Sequence, residues 1–141
     1  MASILVCDDA LFMRKVLSNL IKEMGHQVVG QAANGEEAVE LYSLLRPDLV
    51  TMDITMPVLD GLGAVKRIMA TDPHAKIIMV SAMGQQAMVV DAIRSGAKDF
   101  IVKPYAPERV KLAFERILGP ATSVDTLLGE VEALLRNPAR S

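Results

Sequence analysis

The chain has one cysteine, no tryptophan and only five other aromatic side chains in 141 residues. With a single thiol, Cys7, no intramolecular disulfide can form, and its place in an apolar run reads as a buried structural thiol in a reducing compartment. The scarcity of aromatics leaves almost no material for stacking platforms on single-stranded nucleic acid. An excess of one charge is also missing: fifteen Lys and Arg face seventeen Asp and Glu, for a net charge of −2. No dense basic cluster is present to neutralise phosphates, so nucleic acid is not an expected partner. No apolar run approaches the roughly 18 residues of a membrane helix, and the first residues lack a signal-peptide pattern. Neither Gly-x-x-x-x-Gly-Lys nor Gly-x-Gly-x-x-Gly occurs, so a nucleotide loop is unsupported. A cytoplasmic protein that does not meet a membrane is the expectation.

What is present is apolar material, 51% of residues against 23% charged, a balance that excludes disorder for most of the chain. At this length about two-thirds of the unfolded surface can be buried in one core. Ser3 to Cys7 is a short aliphatic strand, and Phe12, Met13, Val16, Leu17, Leu20, Ile21 and Met24 follow at helical spacing until Gly25. Gln27 to Gly30 begins the next unit. Its helix is expected to start at Asn34 with Glu37 as the capping-box acid, and Pro47 closes it.

Asp48 to Asp53 is the third strand; Pro57 and Asp60-Gly61 mark a loop, and Leu62, Val65, Ile68 and Met69 the third helix. Lys76 to Ser81 is a fourth strand, followed by a helix with Met88, Val89, Ala92 and Ile93 that stops at Gly96. Phe100 to Val102 is the fifth strand, and Pro107 suits the first turn of a helix burying Val110, Ala113, Phe114, Ile117 and Leu118. Strands alternating with helices at this spacing predict an α/β fold, a doubly wound five-stranded parallel sheet. Residues 1–119 form that domain. Residues 120–141 read as a linker and an extra amphipathic C-terminal helix, with Val124, Leu127, Leu128, Val131, Leu134 and Leu135 at a helical period.

Ligands of such sheets sit at the carboxyl ends of the strands. There the sequence places Asp8 and Asp9 after the first strand, Asp53 at the end of the third, Ser81 at the end of the fourth and Lys103-Pro104 after the fifth. In the flavodoxin-like order 2-1-3-4-5 the first and third strands are neighbours and the three carboxylates converge. A hard divalent cation relieves such a cluster, and Mg2+ suits it because it takes one or two carboxylates and keeps the rest of its octahedron for water or a phosphoryl oxygen. Lys103 adds a positive charge and Ser81 a hydroxyl donor, so the set can neutralise a phosphorus under attack by a carboxylate, with Asp53 the central nucleophile.

Asp8-Asp9, Thr51-Met-Asp-Ile-Thr-Met-Pro57, Asp60-Gly61, Ser81-Ala82 and Lys103-Pro104 together resemble the receiver domain of two-component response regulators, over about residues 3 to 118. The surrounding wording, such as Ser81-Ala-Met-Gly-Gln-Gln-Ala-Met88, is most similar to stand-alone chemotaxis receivers. The resemblance implies a switch that takes a phosphoryl group from a histidine kinase onto Asp53. It also implies Asp9, Asp53 and the backbone carbonyl of Thr55 as metal ligands, with Asp8 acting through water. Ser81 and Lys103 would touch the phosphoryl group, Phe100 would be the switching aromatic, and the Lys103-Pro104 bond is often cis in the family. The fourth helix, fifth strand and fifth helix would face an output protein, such as a flagellar motor switch component.

Departures from the family pattern are Ser81 where Thr is commoner, Phe100 where Tyr is frequent, and Thr55 at a position that modulates phosphoryl lifetime. A magnesium-dependent aspartyl phosphatase would need an acid two residues after the nucleophile, where Thr55 stands, so an enzyme is not expected. A flavin binder would bring a phosphate against Asp8-Asp9. The receiver half of a longer regulator is the remaining alternative, although no output domain follows before Ser141. The tail's apolar stripe is a candidate for packing on its own domain, for self-association or for a partner. His26 and His74 read as exposed and idle, and Met13, Met69 and Met88 as core packing.

Overall fold

The structure is a computed structural model that describes residues 1–119. Five strands and five helices alternate: β1 (Ser3–Cys7), α1 (Leu11–Glu23), β2 (Gln27–Ala32), α2 (Gly35–Leu45), β3 (Leu49–Asp53), α3 (Gly61–Thr71), β4 (Ile77–Ser81), α4 (Gln86–Arg94), β5 (Asp99–Val102) and α5 (Pro107–Leu118). All strand pairings are parallel, and the sheet order is β2-β1-β3-β4-β5. The doubly wound fold and the strand order expected from the sequence are therefore present. The expected linker and helix at 120–141 lie outside the described residues.

Alternation along the strands decides the layers, because successive side chains point to opposite faces. Leu5, Cys7, Val50, Met52, Ile77 and Met79 pack with Ala38 and Tyr42 of α2, Ala64, Val65 and Ile68 of α3 and Val89 and Ala92 of α4. Ile4, Val6, Leu49, Ile78 and Ile101 pack on the other face with Leu17 and Ile21 of α1 and Val110, Ala113 and Phe114 of α5. The central strands are covered on both sides, which is why they read as continuous apolar runs.

Local chemistry agrees with most of the boundaries. Asn34 Oδ1 accepts from the Glu37 N–H at 2.8 Å, while Glu37 Oε1 reaches one residue past the cap to accept from the Ala33 N–H at 3.1 Å. Asp60, read as part of a loop, is the N-cap of α3, accepting from the Gly63 N–H at 2.7 Å. Gly96 takes φ +124°, which ends α4. Burial defines the first helix's inner face: Phe12 is 73% exposed, and the core face consists of Leu17 and Ile21 with Leu20 and Met24 beside them. The apolar stripe of α1 is wider than the surface the sheet can cover. His26 is also engaged rather than idle, since Nδ1 accepts from the Ala2 N–H at 3.1 Å and its ring lies 5.9 Å from that of Phe114.

Candidate functional site

Parallel pairing of β1 with β3 brings the exits of these strands side by side, with Cys7 opposite Met52. Asp8, Asp9 and Asp53 follow from this register, and one carboxylate oxygen of each lies within 4.8 Å of the others. Asp8 and Asp53 are buried, whereas Asp9 is exposed. The close approach of the next helix finishes the floor. Gly61 packs on the backbone carbonyl of Asp53, where any Cβ would collide.

Lys103 enters from β5. Its Nζ donates to Asp8 Oδ2 at 3.0 Å and to Asp53 Oδ2 at 3.4 Å, so one ammonium ties the two buried carboxylates. Asp8 is held further by the Ala10 N–H, which donates to Oδ1 at 2.9 Å, and by Arg14, whose Nη1 donates to the Asp8 carbonyl at 2.7 Å. Burial, with Asp8 and Asp9 nearby, pushes the Asp53 carboxyl up from 3.8 to about 6, against the opposing pull of Lys103. Burial draws the Lys103 ammonium down, but its hydrogen bond to Asp8 and the charges of Asp53 and Asp8 more than offset this and hold its pKa above the ordinary value. A carboxylate poised to be charged near neutrality, beside a firmly charged ammonium, is a nucleophile with a counter-ion in place.

Asp8, Asp9, Asp53, Ser81 and Lys103 thus stand at the carboxyl end of the sheet, whereas Phe100 lies opposite Met79 in the middle of β4. Ser81 is 1% exposed at the end of β4, and Thr55 is exposed in the loop after β3. The Lys103-Pro104 bond is cis. Phe100 is 40% exposed on β5 and turns its ring toward the α4 side. An apolar groove of about 580 Å³ there is lined by Ala82, Met83, Val90, Ile93, Phe100 and Val102, among others. The donor set fits a hard divalent cation: three carboxylates, two of them withdrawn from water, with a single ammonium between that pair.

Three residues went unread in the sequence. Arg14 braces the backbone at Asp8. Arg109 of α5 donates from Nη2 to Asp99 Oδ1 at 3.1 Å and to the Phe100 carbonyl at 2.6 Å, with its guanidinium 5.9 Å from the Phe100 ring. Gln85 spans the mouth of the pocket. Their partners are distant in sequence or are backbone atoms, so no spacing rule reveals them.

A doubly wound sheet with an acid cluster at its switch point, faced by a lysine from the last strand, is the architecture of a phosphoryl-accepting receiver. The chain belongs to the response regulator receiver domain family, which it matches over residues 4–115. Its relatives narrow the class to chemotaxis regulators. It is 58% identical over 114 residues to the chemotaxis protein CheY of Thermotoga maritima, covering 81% of this chain and 95% of that one. It is 55% identical over 115 residues to CheY of Bacillus subtilis, covering 82% and 96%. Among solved structures, CheY in the CheX-CheY-BeF3-Mg complex from Borrelia burgdorferi superposes with a TM-score of 0.80 at 38% identity, covering 84% of this chain and 90% of that one.

Proposed function

We propose that the protein is a chemotaxis switch that accepts a phosphoryl group on Asp53 from a histidine kinase and passes the signal on by binding an output protein. The observation that carries this reading is the Lys103 ammonium held 3.0 Å from Asp8 and 3.4 Å from Asp53, with Asp9 on the open side.

In the transfer, an Asp53 carboxylate oxygen attacks the phosphorus of a phosphohistidine. The new O–P bond forms as the P–N bond breaks, and the imidazole leaves with the bonding electron pair and is protonated. Asp9, Asp53 and the Thr55 carbonyl would hold magnesium, with Asp8 acting through a bound water; bound there, the ion supplies positive charge to the phosphoryl oxygens. Lys103 moves from pairing with carboxylates to neutralising an oxygen of the phosphoryl group. Ser81, at the end of β4, would donate its hydroxyl to another. Asp53 needs no proton removed near pH 7, because most of it is already charged with its pKa at about 6.

Phe100 and the groove beside it form the surface proposed for the output, such as a flagellar motor switch component. Arg109 bonds the carbonyl of Phe100 and faces its ring, which favours the outward position seen here. Nothing requires an enzyme acting on an external substrate, and the cytoplasm is the compartment that fits this role. Residues 1–119 would carry the switch, and 120–141 would be an appendage for packing on its own domain, on a second copy or on a partner.

The test is phosphate incorporation from acetyl phosphate and from a phosphorylated kinase domain. Wild type should label and Asp53→Asn should not; full labelling of the variant refutes the assignment.

A further inference from the structure

Gln85 stands at the N-terminal boundary of α4, yet its side chain makes no cap for that helix. It turns instead across the mouth of the pocket. Its Oε1 accepts from the Ala82 N–H at 2.7 Å, and its Nε2 donates to Thr55 Oγ1 at 2.7 Å. Ala82 directly follows Ser81, and Thr55 lies two residues past Asp53, so one carboxamide ties the exits of β4 and β3. Both distances are at the short end of the range for N–H donors. A carboxamide suits both contacts because its oxygen accepts while its NH2 donates, and Asn would be a methylene shorter.

We infer that Gln85 is a positioning residue, a two-ended latch that holds the rim of the Asp53 pocket in its resting form and is released when a phosphoryl group arrives. The inference rests on the reading of Asp53 as phosphoacceptor. A phosphoryl group on Asp53 brings three anionic oxygens into the space between the exits of β3 and β4. Lys103 serves one side of that space. On the other side, at the exit of the neighbouring strand β4, stand the Ser81 hydroxyl and the Ala82 N–H, and the latter is occupied by a neutral amide oxygen. A hydrogen bond to an oxyanion is about twice as strong as one between neutral groups, so the phosphoryl oxygen displaces Gln85 from Ala82.

The consequence reaches beyond the pocket. Once the Oε1 bond to Ala82 is lost, the carboxamide no longer ties Ala82 to Thr55, even while Nε2 still donates to the Thr55 hydroxyl. Ala82, Met83 and Gln86 are part of the lining of the apolar groove beside Phe100. The latch therefore connects occupancy of Asp53 to the shape of the groove through the short loop between β4 and α4.

The experiment compares wild type with Gln85→Met, which keeps the length and removes both polar ends, and with Gln85→Glu, which keeps an acceptor for Ala82 and can accept from the Thr55 hydroxyl. In the metal-free resting protein, hydrogen exchange at the Ala82 amide followed by NMR should quicken about tenfold in Gln85→Met and return toward wild type in Gln85→Glu. With acetyl phosphate and magnesium, the maximal phosphorylation rate of Gln85→Met should rise about three- to tenfold, with little change in the half-saturating concentration. Thr55→Val should give a smaller rise, and its effect should not add to that of Gln85→Met. Unchanged Ala82 exchange in Gln85→Met overturns the latch, and so does a phosphorylation rate that stays equal or falls. Phosphate uptake by Asp53→Asn equal to wild type overturns instead the reading of Asp53, whatever the exchange data show.

Discussion

Phe114 and Phe100 are the same residue type with opposite fates, and so are the two ends of the molecule they represent. Phe114 of α5 is 1% exposed, packed with α1 and the sheet. Phe100 is 40% exposed beside a groove, with the Arg109 guanidinium 5.9 Å from its ring. The same contrast separates the carboxylate pocket from the α4 groove. In the pocket Asp8 is satisfied several times over, by Lys103, Ala10 and Arg14. In the groove Val90, Ile93 and Val102 present apolar surface with nothing over it among the described residues. A switch needs both: a rigid place where charge is received, and a loosely determined place whose shape a small energy can change.

The sharpest way to break the pocket half of that contrast is Asp53→Asn, for which phosphate labelling should fall to background. Next in size, Asp9→Ala should weaken magnesium binding more than about tenfold by calorimetry, since an ion that uses only one or two protein carboxylates would lose one. An unchanged affinity would remove Asp9 from the ligand set. The phenylalanine comparison can be tested directly by urea denaturation. Phe114→Ala should cost about 3–5 kcal/mol, the usual range for deleting a fully buried aromatic, while Phe100→Ala should stay within about 1 kcal/mol. Phe100→Ala should still lose affinity for the phosphorylation-dependent partner; equal stability losses in the two variants would erase the distinction.

The smallest expected effect is on pH dependence. The folded protein holds the Asp53 proton more tightly than the unfolded chain, with the carboxyl raised from 3.8 to about 6 chiefly by burial. This group therefore favours the folded state fully below about pH 4. That contribution is lost as pH rises to about 6, so the metal-free protein should become less stable across this window. Asp53→Asn should lack that decline; an identical slope in the variant would mean that another group sets it.

Residues that act through local periodicity were legible before folding. The alternation of β1 to α5, the cap at Asn34, and the placement of Asp8, Asp9, Asp53, Ser81 and Lys103 at strand ends all follow from neighbours in the chain, because side-chain direction repeats every two residues in a strand and every 3.6 in a helix. The exposure of Phe12 is not legible in the same way, since helical spacing reports an apolar stripe without reporting how wide a surface faces it.

What the amino-acid order determined by itself was the set of elements and the polar residues that stand at the strand exits. Only the tertiary structure decided which acids are buried against Lys103, that Arg109 meets the Phe100 carbonyl, and that Gln85 reaches Thr55 across 30 positions of sequence. The physical reason is that these contacts depend on strand order and on the direction in which each crossover returns. Side chains from separate loops meet only after β3 has come to lie between β1 and β4.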